Sequence, residues 1–521
     1  MTFTDPRRAD SGSRRYLRLA FVLFLVNAAC MLIRYGQLPL APVQGDEVII
    51  NDAAVSLGQG HAYAATTFAG SPYGIDHLFA HFPPLYPLTE SLAIRVFGVS
   101  VYSLRLTTTV MSLSACAVLL LLLYFLGKEK VLSWTAASMV AALYCTCAPL
   151  IIVDRMARME SMVALMVHLA FASVMIAAVS AGEREGTSGL VRRGVIACGL
   201  FAGFALSVHP EAISAVILLA PLVMLAVPGY WGSKALSALL VPITPVLVWV
   251  LTFRSNSLVA LRQLRAILHS ATPKDDDIGT WLQNRLHDRN VASLNRHLVL
   301  ALILGLVVLL LLWFVLKVRR ASVSALEYRL ATAFALGSAL ELVAMEWIFH
   351  MNVNRYQFLY GPLLVGVAMM PFGERRVSPV WRYAVSLIVV LQLIVITIYL
   401  APRQGRAGET SPDRFMPIIH SLPAGASVAA TGDFWLDFKE LGRPMTIIYV
   451  GHDGRDAWSQ EPGNPLDRFD VVLLVEGADS LNAWMRTQLA HGRRRVGYQV
   501  GNDTVGVYLR EPTATPQMTG R

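Results

Sequence analysis

The chain has 521 residues, of which 55% are hydrophobic and only 15% are charged, and its mean hydropathy is +0.52. A single soluble domain of this length is excluded, because the apolar content is too high and is bunched in long runs. The formal net charge of +9 lies largely in short loops between these runs. It therefore indicates membrane topology rather than nucleic-acid binding.

Eleven apolar runs reach or approach the length needed to cross a bilayer. A spanning helix needs about 20 apolar residues, because lipid cannot satisfy a backbone that leaves its own hydrogen bonds. The runs lie near 17–34, 103–126, 132–152, 161–181, 194–208, 211–228, 234–252, 298–316, 326–349, 357–371 and 381–400. The fifth and sixth are short and are separated only by His209-Pro210-Glu211. The pattern predicts a polytopic α-helical membrane protein with about eleven transmembrane helices.

The orientation follows from the positive charges in short loops. A cytoplasmic N-terminus over residues 1–16 requires alternate loops to be basic as well. They are, as shown by Lys128, Lys130, Arg184, Arg192, Arg193, Lys234, Lys317, Arg319, Arg320, Arg375 and Arg376. The bundle is then expected over 17–401, and residues 402–521 are extracytoplasmic. No small-residue cleavage site follows the first run, so it is not interpreted as a cleaved signal peptide.

Two long loops are expected on the outer side, over 35–102 and 253–297. Within the first, "LYPLTESLAIRVFG" carries apolar residues at helical spacing, namely Leu85, Leu88, Leu92 and Val96. This predicts an amphipathic helix along the membrane surface, with Glu90 and Arg95 off the apolar face. The second loop is rich in charges, as a lid or a phosphate-handling loop would be.

The composition turns soluble after Pro402 and predicts a small α/β domain. "ASVAATG", "MTIIYVG" and "DVVLLVEG" have the pattern of strands, and "SLNAWMRTQLAHG" that of a helix. "RVGYQVGNDTVGVYLRE" predicts a hairpin that turns at 501–503. The final "EPTATPQMTGR" has the composition of a disordered tail.

Ionisable and polar residues collect at one membrane face, where four separate turns emerge. The set comprises Asp46, Glu47, Asp154, Arg155, Arg158, Glu160, His209, Glu211, Arg355 and Tyr356. Glu160 opens an apolar run, where ionisable residues are costly and usually functional. This face therefore holds the candidate site.

Each of these groups also has a purely structural interpretation. Asp154 and Arg158 are four residues apart, so on a continuing helix they would form a salt bridge worth a few tenths of a kcal/mol, with Glu160 pointing elsewhere. Asp46 and Glu47 could lie in a solvated loop, or Asp46 could cap the helix "EVIINDAAVSLGQG". His209-Pro210-Glu211 fits a turn, and Arg355-Tyr356 fits an interfacial anchor.

The order of motifs resembles the GT-C superfamily of polyprenyl-phosphate-sugar-dependent glycosyltransferases. It is most similar to the branch with protein O-mannosyltransferases, lipid A aminoarabinose transferases and related bacterial sugar transferases. The matching pieces are Asp46-Glu47 before "LGQGHAY", then Pro83-Pro84-Leu85-Tyr86-Pro87, "FGVSVYSLRL", "ARMES" and "NRYQFLYGPLL". The resemblance covers roughly the first 370 residues and is most specific over 45–165.

The resemblance implies a helical bundle with a catalytic first outer loop in a bacterial inner membrane. Its reaction transfers a sugar from a polyprenyl phosphate to an acceptor hydroxyl of an envelope lipid, glycan or protein, with inversion. The first acidic position of the family falls at Asp46, with Glu47 beside it, and the second falls at Glu160. A carboxylate that takes the hydroxyl proton contributes about 10²–10⁴-fold to such a reaction.

Two positions depart from the family pattern. Several relatives have Asp where this chain has Glu160, and some carry Lys directly before the Pro-Pro pair, where this chain has Phe82. The growing charge on a phosphate leaving group requires a cation or strong donors. The residues that could supply them here are Arg158, Arg155, His81, His77, Arg355 and Tyr356, with Asp154, His209 and Glu211 as possible support.

Some GT-C enzymes use a divalent metal, but this sequence shows no dedicated ligand cluster, so no obligatory metal is expected. A transporter or flippase is the first rival, and it would place ionisable residues near the bilayer midplane. Glu341 and Glu346 are the main residues of that kind. A non-catalytic scaffold is the second rival, and it would have no need for carboxylates on one side.

Overall fold

The computed structural model describes residues 6–33, 45–68, 74–80, 82–181, 188–270, 325–344, 358–369, 379–401, 413–447, 465–476, 489, 493–500 and 503–510. These residues form a bundle of apolar helices and a small sheet domain. The predicted fold class, a polytopic helical bundle with a C-terminal α/β domain, is confirmed.

The helices of the bundle and its loops follow in chain order. They are α1 (Pro6–Leu32), α2 (Gly45–Gly58), α3 (Leu85–Phe97), α4 (Val101–Lys128), α5 (Trp134–Cys145), α6 (Ala148–Val153), α7 (Glu160–Ser180), α8 (Ser188–Val208), α9 (Ile213–Pro221), α10 (Trp231–Phe253), α11 (Ser257–Ser270), α12 (Ala325–Ala344), α13 (Tyr360–Met369) and α14 (Pro379–Leu400). A short π-helical segment, Leu222–Ala226, continues α9.

Among the described residues, seven helices are long and apolar enough to cross a membrane. They are Ser11–Leu32, Val101–Lys128, Trp134–Val153, Glu160–Ser180, Ser188–Val208, Trp231–Phe253 and Pro379–Leu400. Three more predicted spans coincide with shorter or less apolar helices, namely Pro210–Ala226, α12 and α13. The predicted span at 298–316 lies outside the described residues. The chain is a multi-pass membrane protein, and the total of eleven spans remains a prediction.

Close helix contacts in the bundle depend on small residues. A Cβ on Gly199 would lie 2.3 Å from the Ser237 carbonyl oxygen, and one on Gly203 would lie 2.7 Å from that of Leu240. Helices α8 and α10 therefore approach backbone to backbone, as is common for helices packed in lipid.

The end of the bundle where α4 finishes is closed by aromatic packing. Trp134, at the start of α5, has its ring 5.6 Å from Tyr16 and 5.8 Å from Tyr124. The same indole fills the space beside Gly12 and Gly127. The start of α4, together with α2 and α3, lies at the other end.

Helix α3 is amphipathic, as the apolar spacing predicted. Leu92, Val96 and Phe97 are exposed, which fits a helix that lies along a membrane surface. The opposite face buries Tyr86 and Glu90 against the bundle. Glu90 was expected off the apolar face, and the structure adds that it is fully buried.

The C-terminal domain is a five-stranded sheet in the order β2-β1-β3-β5-β4. Its strands are β1 (Val428–Ala430), β2 (Thr446–Ile447), β3 (Val471–Glu476), β4 (Arg493–Val500) and β5 (Asp503–Arg510). Strand β1 is parallel to β2 and β3, whereas β5 runs antiparallel to β3 and β4. Two short helices belong to this domain, α15 (Met416–Ser421) and α16 (Trp435–Glu440). The strands and the hairpin match the sequence pattern, and the predicted helix near 480–492 lies almost entirely outside the described residues.

Candidate active site

The turn between α6 and α7, residues 154–159, is the centre of the candidate site. Helix α6 ends at Val153 and α7 begins at Glu160. The expectation that Asp154 and Arg158 share a face of a continuing helix is therefore wrong. The chain leaves the helix for one turn, and this brings Arg158 next to Glu160 instead.

Arg158 and Glu160 form a buried ion pair. The Nη2 and Nε atoms of Arg158 lie 2.6 and 3.0 Å from Oε1 of Glu160, and Nε lies 3.2 Å from Oε2. Their side chains are only 8% and 3% exposed. A fork of this kind fixes both groups, because a buried charge is tolerated only with good partners. The predicted phosphate-binding residue and the predicted second acidic residue are thus in direct contact.

Asp154 accepts two short hydrogen bonds. The hydroxyls of Ser112 and Ser161 both lie 2.6 Å from its carboxylate oxygens. Burial raises the pKa of Asp154 to about 6, the two hydroxyls pull that pKa down, and the nearby charge of Glu160 pushes it up. Asp154 therefore links the turn to α4 through Ser112 and to α7 through Ser161.

Arg155 points away from this pair. Its guanidinium donates to the carbonyl oxygens of Cys30 and Ile33 at the end of α1. A cation at a helix C-terminus satisfies carbonyls that have no partner within the helix. The fully buried Arg155 joins α1 to the turn, and this engagement argues against its predicted contact with a donor phosphate.

Helices from three parts of the chain hold the turn in place. The Asn51 side-chain amide of α2 donates to the Ala157 carbonyl at 3.1 Å. The Thr108 hydroxyl of α4 donates to the Arg158 carbonyl at 3.4 Å, and it also contacts the hydroxyl of Tyr86 at 3.2 Å. The first outer loop and the turn therefore form one unit.

Asp46 and Glu47 lie in the first turn of α2, which begins at Gly45. This differs from a cap at Asp46, since the helix already includes that residue. Carboxylates are favoured in the first turn by the partial positive charge of a helix N-terminus. Glu47 precedes Asn51 by four residues, about one helical turn, so these two positions share one side of α2.

Asp52, one residue beyond Asn51, is a buried carboxylate that the sequence analysis missed. It is fully buried, and its partners include Lys439 of the C-terminal domain, whose Nζ lies 2.7 Å from Oδ1. The signal was present in "EVIINDAAV", where a charge interrupts the apolar residues of a short helix. Its partner Lys439 lies 387 positions further along the chain, so residue spacing could not identify the pair.

The histidines of the site have different settings. The side chain of His77 is 87% exposed and lies 3.7 Å from Asp76. Nδ1 of His209 accepts a 3.1 Å hydrogen bond from the backbone N–H of Glu211, so His209 caps the short helix Pro210–Ala212. Nδ1 also lies 3.7 Å from the Glu211 carboxylate, but a nitrogen that accepts the backbone N–H has no proton to donate, so these two atoms form no hydrogen bond. His209-Pro210-Glu211 is thus a turn.

The first loop also touches this turn through Phe82, whose ring centroid lies 6.2 Å from that of His209. Phe82 is a position at which the sequence departs from the pattern of the family that it resembles. His81, Arg355 and Tyr356 lie outside the described residues, and their predicted contacts with a phosphate remain predictions.

Helix α11 of the second outer loop fixes the segment that leads to Phe82. The buried side chain of Gln263 accepts from the Ala80 N–H at 2.9 Å and donates to the Leu78 carbonyl at 2.7 Å. One amide thus satisfies a donor and an acceptor of the first-loop backbone. This residue was not singled out by its sequence, since a lone Gln in a charged loop carries no signal.

Across the described residues, no group of three or more His, Cys, Asp or Glu side chains is arranged to hold a metal ion. The carboxylates of Glu160, Asp52 and Asp154 are instead engaged by an arginine, a lysine and hydroxyl groups, respectively. The arrangement suits acid–base and electrostatic chemistry on an uncharged acceptor and an anionic donor.

Comparison with known proteins gives the class of the fold. No family model and no curated protein matches the sequence. The structure is similar to ArnT from Cupriavidus metallidurans bound to undecaprenyl phosphate, with 12% identity, coverage of 94% of this chain and 97% of that chain, and a TM-score of 0.50. Two further similarities are to an oligosaccharyltransferase from Archaeoglobus fulgidus tethered with an acceptor peptide (13% identity, 96% and 75% coverage, TM-score 0.49) and to the arabinosyltransferase EmbB from Mycobacterium smegmatis (12%, 85% and 44%, 0.38).

ArnT is a GT-C superfamily glycosyltransferase, and the similarity to it, at a TM-score of 0.50, shows that the chain has the GT-C fold. The resemblance inferred from the motif order is confirmed at this level.

Proposed function

We propose that the chain is an inverting membrane glycosyltransferase. It moves a sugar from a polyprenyl-phosphate donor to a hydroxyl of an envelope lipid, glycan or protein, on the extracytoplasmic face of a bacterial inner membrane. The observation that carries this proposal is the meeting of α2, with two carboxylates in its first turn, and the buried Arg158–Glu160 pair. The fold supports the same class, and ArnT was crystallised with undecaprenyl phosphate.

The acceptor hydroxyl is the nucleophile in this reaction. A carboxylate in the first turn of α2 takes its proton while the hydroxyl oxygen attacks the anomeric carbon of the sugar. The bond between that carbon and the phosphate oxygen breaks from the opposite face, so the configuration inverts. The family resemblance places the base at Asp46, whereas the helical period puts Glu47 on the side of Asn51.

Arg158 supports the leaving phosphate, whose negative charge grows as the bond breaks. Glu160 has its oxygens engaged by Arg158, so it orients the guanidinium rather than acting as a separate base. The polyprenyl tail stays in lipid while the phosphate and sugar reach the end of the bundle.

The test is mass spectrometry of envelope lipids, glycans and proteins. Cells would carry the wild-type chain, Asp46→Asn, Glu47→Gln, both changes, or no chain, at equal protein levels. One sugar modification should be present with wild type and absent with the double variant and with no chain. The single variants then identify the base.

Glu129→Gln, at the opposite end of α4, serves as a control and should keep the product. A double variant that retains the product would reject the transferase, and a transported precursor that accumulates instead would favour a flippase.

A further inference from the structure

The C-terminal domain shares one continuous apolar core with the first outer loop. Val48 of α2 and Phe68 of the loop belong to the same buried cluster as Phe434, Trp435 and Ile447 of the domain. The Thr67 carbonyl also accepts a 2.7 Å hydrogen bond from the backbone N–H of Ile447 in the edge strand β2. The domain therefore packs against the first outer loop, and its connection to α14 is not its only attachment to the bundle.

Asp52 lies at the polar centre of this interface. Its carboxylate accepts from the Thr67 N–H at 2.9 Å, the Thr67 hydroxyl at 2.5 Å and the Trp435 indole N–H at 2.8 Å. The Lys439 ammonium completes the set at 2.7 Å and is itself only 15% exposed. Two of the donors come from the loop and two from helix α16 of the domain.

Such an arrangement is rigid for an energetic reason. A buried carboxylate is costly unless charge and hydrogen bonds are both supplied, so moving α2 away from α16 would leave the Asp52 charge without its partners. Hydrogen bonds to a charged group are also stronger than those between neutral groups.

Asn51, the residue before Asp52, connects α2 to the turn between α6 and α7. Asn51 donates to the Ala157 carbonyl, and successive helical residues project about 100° apart. Helix α2 is thus held from two directions, by the Arg158–Glu160 turn through Asn51 and by the C-terminal domain through Asp52. Its first turn carries Asp46 and Glu47, and a displacement of about 1 Å in a reacting group can cost 10²-fold in rate.

We infer that Trp435 and Lys439 are positioning residues for the transfer reaction: acting through Asp52, they fix the placement of α2 and of its two acidic residues. This inference rests on the proposed function. The C-terminal domain is then a working part of the active site, since Trp435 and Lys439 act on α2 through Asp52.

The test uses the full chain, in cells for the product and in detergent for amide exchange and binding, with two substitutions of different severity. Trp435→Phe keeps the ring in the core and removes only the N–H that Asp52 accepts. Lys439→Met keeps the aliphatic stem and removes the charge. Three quantities are measured: the envelope product, amide exchange across 45–58, and binding of undecaprenyl phosphate as a probe.

Both substitutions should lower the product, by about tenfold or more for Lys439→Met, and should speed exchange across 45–58. Binding of undecaprenyl phosphate should stay at the wild-type level, because Arg158 and its turn are untouched. Lys439→Arg, which retains charge and donors, should recover most of the product. A merely structural role would instead lose binding and raise exchange over the whole chain.

Arg494→Met is the matched control, since it removes a positive charge at an exposed position of the same domain. It should behave as wild type, and an equal loss of product in Arg494→Met would overturn the inference. Wild-type exchange and product in Trp435→Phe and Lys439→Met would also overturn it. If Lys439→Met unfolds, Trp435→Phe alone decides by the same criteria.

Failure of the proposed function would be seen separately. The variant with both Asp46→Asn and Glu47→Gln should lose the product while exchange across 45–58 stays slow. If that variant keeps the product, the transferase is rejected whatever the result at Lys439.

Discussion

At the residue scale, the buried acidic residues of the site differ in the partners that engage their carboxylates. Glu160 is engaged by a guanidinium, Asp154 by two hydroxyls and Asp52 by a lysine and an indole. Under the proposed function, the proton acceptor is therefore Asp46 or Glu47 in the first turn of α2. The sequence identified Arg158 and Glu160 as candidates but not their contact, because a helix was expected to continue where the structure has a turn.

Replacing Arg158 by Lys should lower product formation by at least about tenfold. Lysine keeps the charge but loses the planar fork that binds Glu160 at two nitrogens, so the cation is no longer held in one place. The measurement is the amount of envelope product at equal protein level. Arg95→Lys, at an exposed position of α3, is the control and should leave the product unchanged. Equal product from Arg158→Lys would show that a point charge suffices at this position.

Asp437 of α16 should make the stability of the C-terminal domain depend on pH. Burial raises the pKa of Asp437 from 3.8 to about 8, helped by Glu440 and Asp413 and opposed by Arg414. Because the folded pKa is the higher one, the stabilisation is complete below about pH 4 and is lost as the pH rises through about 8. Thermal unfolding of the full chain should therefore occur at lower temperature at pH 9 than at pH 6.

Asp437→Asn should remove most of this pH dependence and leave the variant more stable than wild type at pH 9. Glu440, whose pKa is also raised, to about 6, retains a smaller effect of the same sign. Asp467→Asn, at an exposed position, should keep the wild-type dependence. An unchanged slope in Asp437→Asn would mean that another group titrates.

At the element scale, helix α2 shows how far the sequence reached. A helix was expected over "EVIINDAAVSLGQG", and α2 spans Gly45–Gly58. Its polar side chains were not assigned, because Asn51 and Asp52 gain their meaning from Ala157 and Lys439, which spacing along the chain cannot reveal. The local sequence pattern determines that α2 is a helix, whereas contacts with residues far away in the sequence determine where it packs.

Helix α11 acts on the first loop through a single side chain, which gives a test at this scale. Gln263→Leu should speed amide exchange over 74–80 and lower the product, because the Ala80 N–H and the Leu78 carbonyl each lose a partner. Buried groups without partners cost about 1–3 kcal/mol each. Hydrogen exchange of the full chain measures the effect. Arg262→Leu on the exposed face of α11 should leave exchange at the wild-type rate, and equal rates in both variants would contradict the role of Gln263.

At the scale of the whole molecule, the sequence predicted the class of fold, whereas the catalytic role of one end of the bundle stays a prediction. Hydropathy and charge bias act over whole segments and do not require knowledge of partners, so the long spans were visible. The site turns at 154–159 and 209–211 do meet the first loop, through Asn51 and Phe82. The position of the C-terminal domain on the first loop was not predicted, because the sequence pattern of its strands is the same for a separate domain and for a domain that packs against the bundle.

The seat of that domain on the first loop also sets an order of events during synthesis. Asp52 leaves the ribosome 383 residues before Trp435, which at about 5–20 residues per second is an interval of about 20–80 s. During this time the bundle can insert while Asp52 lacks its partners Trp435 and Lys439. A nascent chain that ends before α16 would be fully threaded through the bilayer and yet hold α2 only through contacts within the bundle, such as that of Asn51 with Ala157. Synthesis of α16, rather than membrane insertion, is then the step that completes the contacts of Asp52.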